Sequence, residues 1–330
     1  MSTILFLCIE IRLGDMDTVR VLGPALSSHS DENLHDRICI EGMVQAVMIN
    51  EYVLTASLDA IGRGARTSRG DAKELCEAMY KLGQLHGLVS NEKVQTALIT
   101  ALGVIDVTEA EKRFQLLLDQ YDSVAEPVYN AVAGSYARAG NGPGARTILE
   151  VMRENGVRPS VVTYGSVLHA FARDVESYCR SGKQEQTLWT MALEVFAEMY
   201  PGATVQSSSN SYRVSPATDC IAPNEYIFSA LMRLAAGAFC EREAQARVDR
   251  VFTWIKKLDT SVSLEAIIGA LLKAASSRGH WRLARDLVFS IQATLNSNKN
   301  FVEYFLSSYR KFLSTPNMIR LGSILSVRGT

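Results

Sequence analysis

Apolar positions between Tyr129 and Ala172 fall on a helical period, and they do so twice. Tyr129, Val132, Ala133, Tyr136 and Ala137 stand at offsets 0, 3, 4, 7 and 8. A turn of about 3.6 residues gathers those offsets into one stripe. Thirty-five residues later Tyr164, Val167, Leu168, Phe171 and Ala172 repeat them. Between the two, Ala145, Ile148, Leu149 and Met152 form a second stripe, closed by Gly156 where a helix C-cap would sit and by Pro159 just beyond it. The spacing predicts a unit of helix, turn, helix and turn in 35 residues.

A short phrase marks unit boundaries elsewhere. NEYVLTA at 50–56 returns as NEKVQTA at 91–97 and as NEYIFSA at 224–230. These boundaries predict an array over 51–299 with units 51–91, 92–125, 126–160, 161–224, 225–264 and 265–299. Residues 1–50 are expected to hold a partial N-terminal repeat with an extended loop, and 300–330 a C-terminal capping helix and tail. The predicted second-helix stripes are Ala72, Leu75, Cys76 and Met79; Ala110, Phe114 and Leu117; Ala192, Val195, Phe196 and Met199; Val248, Val251, Phe252 and Ile255; and Ala284, Leu287, Val288 and Ile291. Arg113 interrupts one of them. Unit 161–224 is 29 residues over length, and its surplus, polar at 174–189 and Ser-rich at 201–220, is expected to form two exposed loops.

The phrases VYNAVAGSYARAG, ILEVMRENGVRPSVVTYGSVL and APNEYIFSAL resemble pentatricopeptide repeats. The 35-residue unit sets them apart from tetratricopeptide repeats, whose period is about 34. The resemblance implies an all-α fold, a right-handed α-solenoid of helix-turn-helix pentatricopeptide repeats. It also implies that one repeat holds one nucleotide of single-stranded RNA. In that family the fifth and last residues of a repeat hydrogen-bond the base edge, while second residues of adjacent repeats sandwich its faces.

Carried onto this chain, the base-edge pairs are Thr55 with Asn91, Asn130 with Ser160, Gly165 with Asn224, and Ser229 with Leu264. The first resembles a combination that prefers adenine, the second one that prefers a pyrimidine. Thr96 with Ala125, Ser229 with Leu264 and Gly269 with Lys299 match no good combination. Tyr52, Val162 and Tyr226 stand at stacking positions. Arg63, Arg138 and Arg173 share one place near the end of a first helix, suited to phosphate. The same residue types have structural uses: Asn and Thr cap helices, tyrosines pack between repeats, and a cation in the last turn suits the helix dipole.

Composition narrows the function. The net charge of −1 argues against a generic polyanion binder, yet it is unevenly spread. Residues 1–125 carry 11 basic and 18 acidic side chains, residues 265–330 carry 9 and 3, so the C-terminal end is the one suited to an anion. Cys8, Cys39, Cys76, Cys179, Cys220 and Cys240 share no short spacing and read as reduced, mostly buried packing residues. The apolar start ILFLCI is too short to span a membrane and lacks a basic flank, so neither a membrane span nor a signal peptide is expected. His29, His35, His86, His169 and His280 have no ligand-spaced neighbours, and the glycine-rich GRGARTSRG and GNGPG lack the phosphate-loop lysine.

No catalysis, cofactor, metal or small-molecule substrate is therefore expected. Two functions stand. One is an RNA-binding module acting on organellar mRNA or rRNA. The other is an architectural scaffold in a large assembly such as the mitochondrial ribosome, touching protein subunits through the inserted loops and the apolar tail around Met318, Ile319, Leu321, Ile324 and Leu325. The mitochondrion is the expected location, with the chloroplast or another plastid as the alternative.

Overall fold

The computed structural model describes residues 49–65, 69–177, 182–201, 221–257, 264–280 and 282–286. Among these residues the regular structure is helical. In chain order the helices are α1 (Glu51–Gly64), α2 (Arg69–Leu85), α3 (Glu92–Ile105), α4 (Val107–Gln120), α5 (Glu126–Ala139), α6 (Gly142–Glu154), α7 (Val161–Ser177), α8 (Gly182–Met199), α9 (Glu225–Ala236), α10 (Glu241–Lys257) and α11 (Leu264–Arg278). Residues 282–286 are also helical. The chain divides within α4 into two compact units, residues 1–109 and 110–330.

The recurring phrase has a physical meaning. Its asparagine is an N-cap: Asn50 accepts from the Val53 amide at 3.0 Å, Asn91 from the Lys93 amide at 2.9 Å, and Asn224 from the Ile227 amide at 3.1 Å. Each satisfies a backbone donor that the first turn leaves without a partner. The glutamate that follows sits in the first turn, where the positive end of the helix dipole favours it. Helix α5 starts differently, with Ala125 at the cap and Pro127 in the first turn, where a missing N–H costs nothing.

Helix exits are equally legible. After α6, Gly156 adopts φ 69°, its amide bonds Arg153 at 3.0 Å and the Val157 amide bonds Met152 at 2.8 Å. This is a Schellman closure, and the left-handed residue in it is most cheaply a glycine.

In the first unit α1 packs on α2 and α3, and α2 on α3. In the second, first helices stack on first helices, α5 on α7, α7 on α9 and α9 on α11. Each second helix backs its own first helix, α6 on α5, α8 on α7 and α10 on α9, and α6 also touches α8. The second unit is thus an α-solenoid; the stripes predicted its helix pairs and the resemblance implied their stacking. Tyr129, Val132, Val167, Leu168, Phe171, Ile148, Leu149 and Met152 are all buried. Their burial supplies most of the drive, since helices of this length hold poorly alone. Arg146 with Glu194 at 2.7 Å and Arg153 with Glu198 at 2.6 Å tie α6 to α8 at the surface.

Three expectations need correction. Residues 174–189 are not a loop: α7 continues to Ser177 and α8 begins at Gly182, leaving only 178–181 outside the described residues. The polar side chains there have buried partners. Asp174 accepts from the Gly142 amide at 3.2 Å, and Glu185 pairs with Arg247. In α10 the buried stripe is Ala244, Val248, Val251 and Trp254, with Phe252 and Ile255 only half-buried. Cys240 is an exposed free thiol; Cys76 is buried, and burial pushes its pKa up to about 12. The predicted loop over 201–220, the N-terminal partial repeat and the C-terminal helix and tail lie outside the described residues, apart from Tyr200–Pro201 and the last residues before α1.

Candidate nucleic-acid interface

Offsets 1, 4, 8 and 12 from a helix start share one helical face. On α1 these are Tyr52, Thr55, Asp59 and Arg63; on α5, Pro127, Asn130, Gly134 and Arg138; on α7, Val162, Gly165, His169 and Arg173; on α9, Tyr226, Ser229 and Arg233. The apolar stripes occupy the opposite face and the helices stack side by side, so these positions line the outward edge of the first helices in each unit. Three of them expose large apolar groups to solvent, Tyr52 at 69%, Val162 at 55% and Tyr226 at 47%.

In the first unit, Glu51 organises the site. Its carboxylate accepts from the Asn91 amide nitrogen and from Lys93 Nζ, the latter at 3.0 Å. Those bonds hold the Glu51 carboxyl below its usual range and raise Lys93. Asn91 is held at both ends, because its Oδ1 also caps α3 through the Lys93 and Val94 amides. The Lys93 ammonium lies 5.4 Å from the centre of the Tyr52 ring. Thr55 turns its hydroxyl back to the Glu51 carbonyl at 2.8 Å, so it does not cap a helix. Arg63 pairs with Asp59 at 2.6 Å, and both are well exposed.

In the second unit, α5 and α7 repeat the device. Asn130 donates from Nδ2 to Glu126 Oε1 at 3.0 Å, while Thr163 donates its hydroxyl to Asn130 Oδ1 at 2.6 Å. The amide is thereby oriented: its nitrogen lies toward Glu126 and its oxygen toward Thr163. One N–H and one lone pair remain for a ligand. Ser160 is the cap here, accepting from the Val162 amide at 3.2 Å. Asn91, Ser160 and Asn224, each the last residue of its base-edge pair, are therefore cap residues, and Asn130 and Thr55 are not. Arg138 is exposed and donates to Ser135 Oγ at 3.0 Å; Arg173 is exposed.

The α7–α9 junction departs from this pattern. Tyr226 lies over Gly165, where an added Cβ would stand 2.6 Å from a ring carbon. The ring also meets the His169 imidazole, centroid to centroid 3.9 Å at 32°. Arg233 pairs twice with Glu176, at 2.7 and 2.6 Å, and donates to His169 Nδ1 at 2.9 Å. Since Nδ1 accepts, the ring proton sits on Nε2 and is donated to the Tyr226 carbonyl at 3.2 Å. Burial, then the Arg233 charge, lower the His169 pKa to about 4.

This residue makes stability pH-dependent with a definite sign. The unfolded chain binds the His169 proton near its ordinary value of 6.5 and the folded chain only near 4. Folding free energy should therefore weaken as pH falls through that window, and His169→Gln should remove this component. Urea unfolding at a series of pH values checks it; identical pH profiles for the two proteins would contradict the assignment.

Within each unit the expected first-helix residues share the outward face of their helices and the last residues of the pairs cap the next helix, but the reasoning from sequence missed what fixes them. Glu51 and Glu126 hold amides, Thr163 holds Asn130, and the His169, Glu176 and Arg233 cluster seats Tyr226. Glu51 was visible in the repeated phrase; the pairings across 40 and 33 residues, Asn91 with Glu51 and Thr163 with Asn130, were not. GNGPG proves to be a helix start, with Asn141 capping α6 through the Gly144 amide at 2.8 Å.

A family model described as a pentatricopeptide repeat domain matches residues 127–173, the segment from α5 to α7. That segment carries a pentatricopeptide repeat. Among solved structures it is similar to the pentatricopeptide repeat protein PPR10 from maize, at 19% identity and a TM-score of 0.42, covering 84% of this chain and 34% of that one. It is also similar to PPR10 in complex with an 18-nt psaJ RNA element, at 17% identity and a TM-score of 0.40, covering 94% of this chain and 43% of that one. The chain spans less than half the length of those structures. No curated protein matches it.

Proposed function

We propose that this pentatricopeptide repeat protein binds single-stranded RNA without catalysis, on the outward face of its first helices, within an organelle. The observation that carries the reading is the Asn130 amide, fixed by Glu126 and Thr163 yet retaining a donor and an acceptor. A preset donor and acceptor pair is what discriminates base edges, at about 1–3 kcal/mol for a well-formed contact. Val162, next in the chain to the Thr163 that holds Asn130, offers an exposed apolar surface to a base, and the exposed Arg138 and Arg173 offer charge to phosphate.

Reading is short on this account. Thr55 with Asn91 and Asn130 with Ser160 are the pairs able to present polar groups, whereas Gly165 has no side chain to present. The test is the affinity of the full chain for short single strands that differ in one base, compared with Asn130→Ala. A pyrimidine preference of about 5-fold or more in the parent, reduced in the variant, is expected from the energy above. Equal affinity for all bases in both proteins would favour the scaffold reading, in which the helix pairs hold an assembly without decoding RNA.

A further inference from the structure

The α7–α9 junction is more than a repeat that lacks a reading side chain. It is filled. Gly165 leaves open the space into which a fifth-position side chain would project, and the Tyr226 ring enters that space so closely that even a methyl group would collide with it at 2.6 Å. The ring is stacked on the flat face of His169 at 3.9 Å. The two ring planes are tilted by 32° and overlap face to face at a distance at which a base could lie on the imidazole, next to Asn224, which caps α9 by accepting from the Ile227 amide. His169 itself is held in place by Arg233 and by the Tyr226 carbonyl, and Arg233 is clamped by Glu176. The arrangement is fixed from two helices, α7 and α9, which pack on one another.

We propose that Tyr226 is an internal stand-in for a nucleobase, occupying the slot between α7 and α9 and thereby excluding a nucleotide from the place next to the one read at Asn130. This rests on the RNA-binding reading given above. It assigns Tyr226 a specificity role opposite to that of a stacking residue: the ring competes with RNA at its junction. Removing the phenol exposes the His169 face, and a base stacked there gains about 1–3 kcal/mol.

A length series of oligouridylates, titrated against the full chain by fluorescence anisotropy, tests this. Tyr226→Ala should lengthen by one nucleotide the shortest strand that reaches full affinity. It should also tighten binding of the longer strands by about 5-fold to 100-fold. Tyr226→Phe, which keeps the ring, should behave as the parent. Gly165→Ala, which crowds the ring out without deleting it, should move in the same direction as Tyr226→Ala and guards against a simple packing loss. Weaker binding by Tyr226→Ala, or an unchanged length dependence, would overturn the inference while leaving the RNA reading intact. Failure of parent and variants alike to bind any strand would remove both.

Discussion

Glu185→Ala is expected to lower the unfolding free energy by about 3 kcal/mol or more, one of the two largest single-residue effects in the molecule. Glu185 and Arg247 are both buried, Glu185 on α8 and Arg247 on α10. Arg247 also bonds Gln186 and Glu243, and its guanidinium lies 4.8 Å from the Trp189 ring. Deleting the carboxylate leaves the buried Arg247 guanidinium with the 44%-exposed Glu243 as a weaker counter-charge, so the cost falls at the low end of the about 3–5 kcal/mol typical of a broken buried pair. The sign of the control is informative. Replacing both residues with leucine and methionine removes the charge with its partner and should recover most of the loss. Chemical denaturation of the three proteins measures this; a cost below about 1 kcal/mol for Glu185→Ala would mean that water enters the pair.

Phe171→Ala should cost about 3–5 kcal/mol, since the side chain is fully buried and the cavity cannot close by small shifts. Its ring fills the space above Gly142, where an added Cβ would stand 2.3 Å from the nearest ring atom. Gly142→Ala in the parent should therefore cost about 1–3 kcal/mol by overpacking. In the Phe171→Ala background that penalty should vanish, because the clashing ring is gone. Additive losses in the double variant would show that Gly142 is required for something other than room for Phe171.

These two sites show what a single sequence reveals. Phe171 was legible because it lies on a stripe at helical spacing with Tyr164, Val167 and Leu168. The helix pairs followed from such stripes, and the Asn-Glu phrase recurred because a capping side chain and a first-turn carboxylate are local needs. Glu185 was not legible. Its partner lies 62 residues away, and within its own window it reads as solvated charge. The same blindness turned 174–189 into an expected loop, although Asp174 is bonded to α6 and Glu176 to α9.

The candidate site divides along the same line. The positions on the outward face came from helical register, which is local. What decides their chemistry came from contacts between neighbouring helices: Glu126 and Thr163 orienting Asn130, and Tyr226 filling the space at Gly165. From sequence Gly165 was only a reading position without a side chain. In the fold it is the residue that admits a ring.

The claim that the first-helix face reads RNA rests most heavily on Asn130, so the most direct measurement is a competition titration. The full chain and its Asn130→Ala variant are each offered single strands identical but for one pyrimidine-to-purine change. A pyrimidine preference of about 5-fold or more in the parent that falls to near unity in the variant, with total affinity changed far less, is the expected result. An equal loss of affinity for both strands, or no preference in the parent, would contradict it.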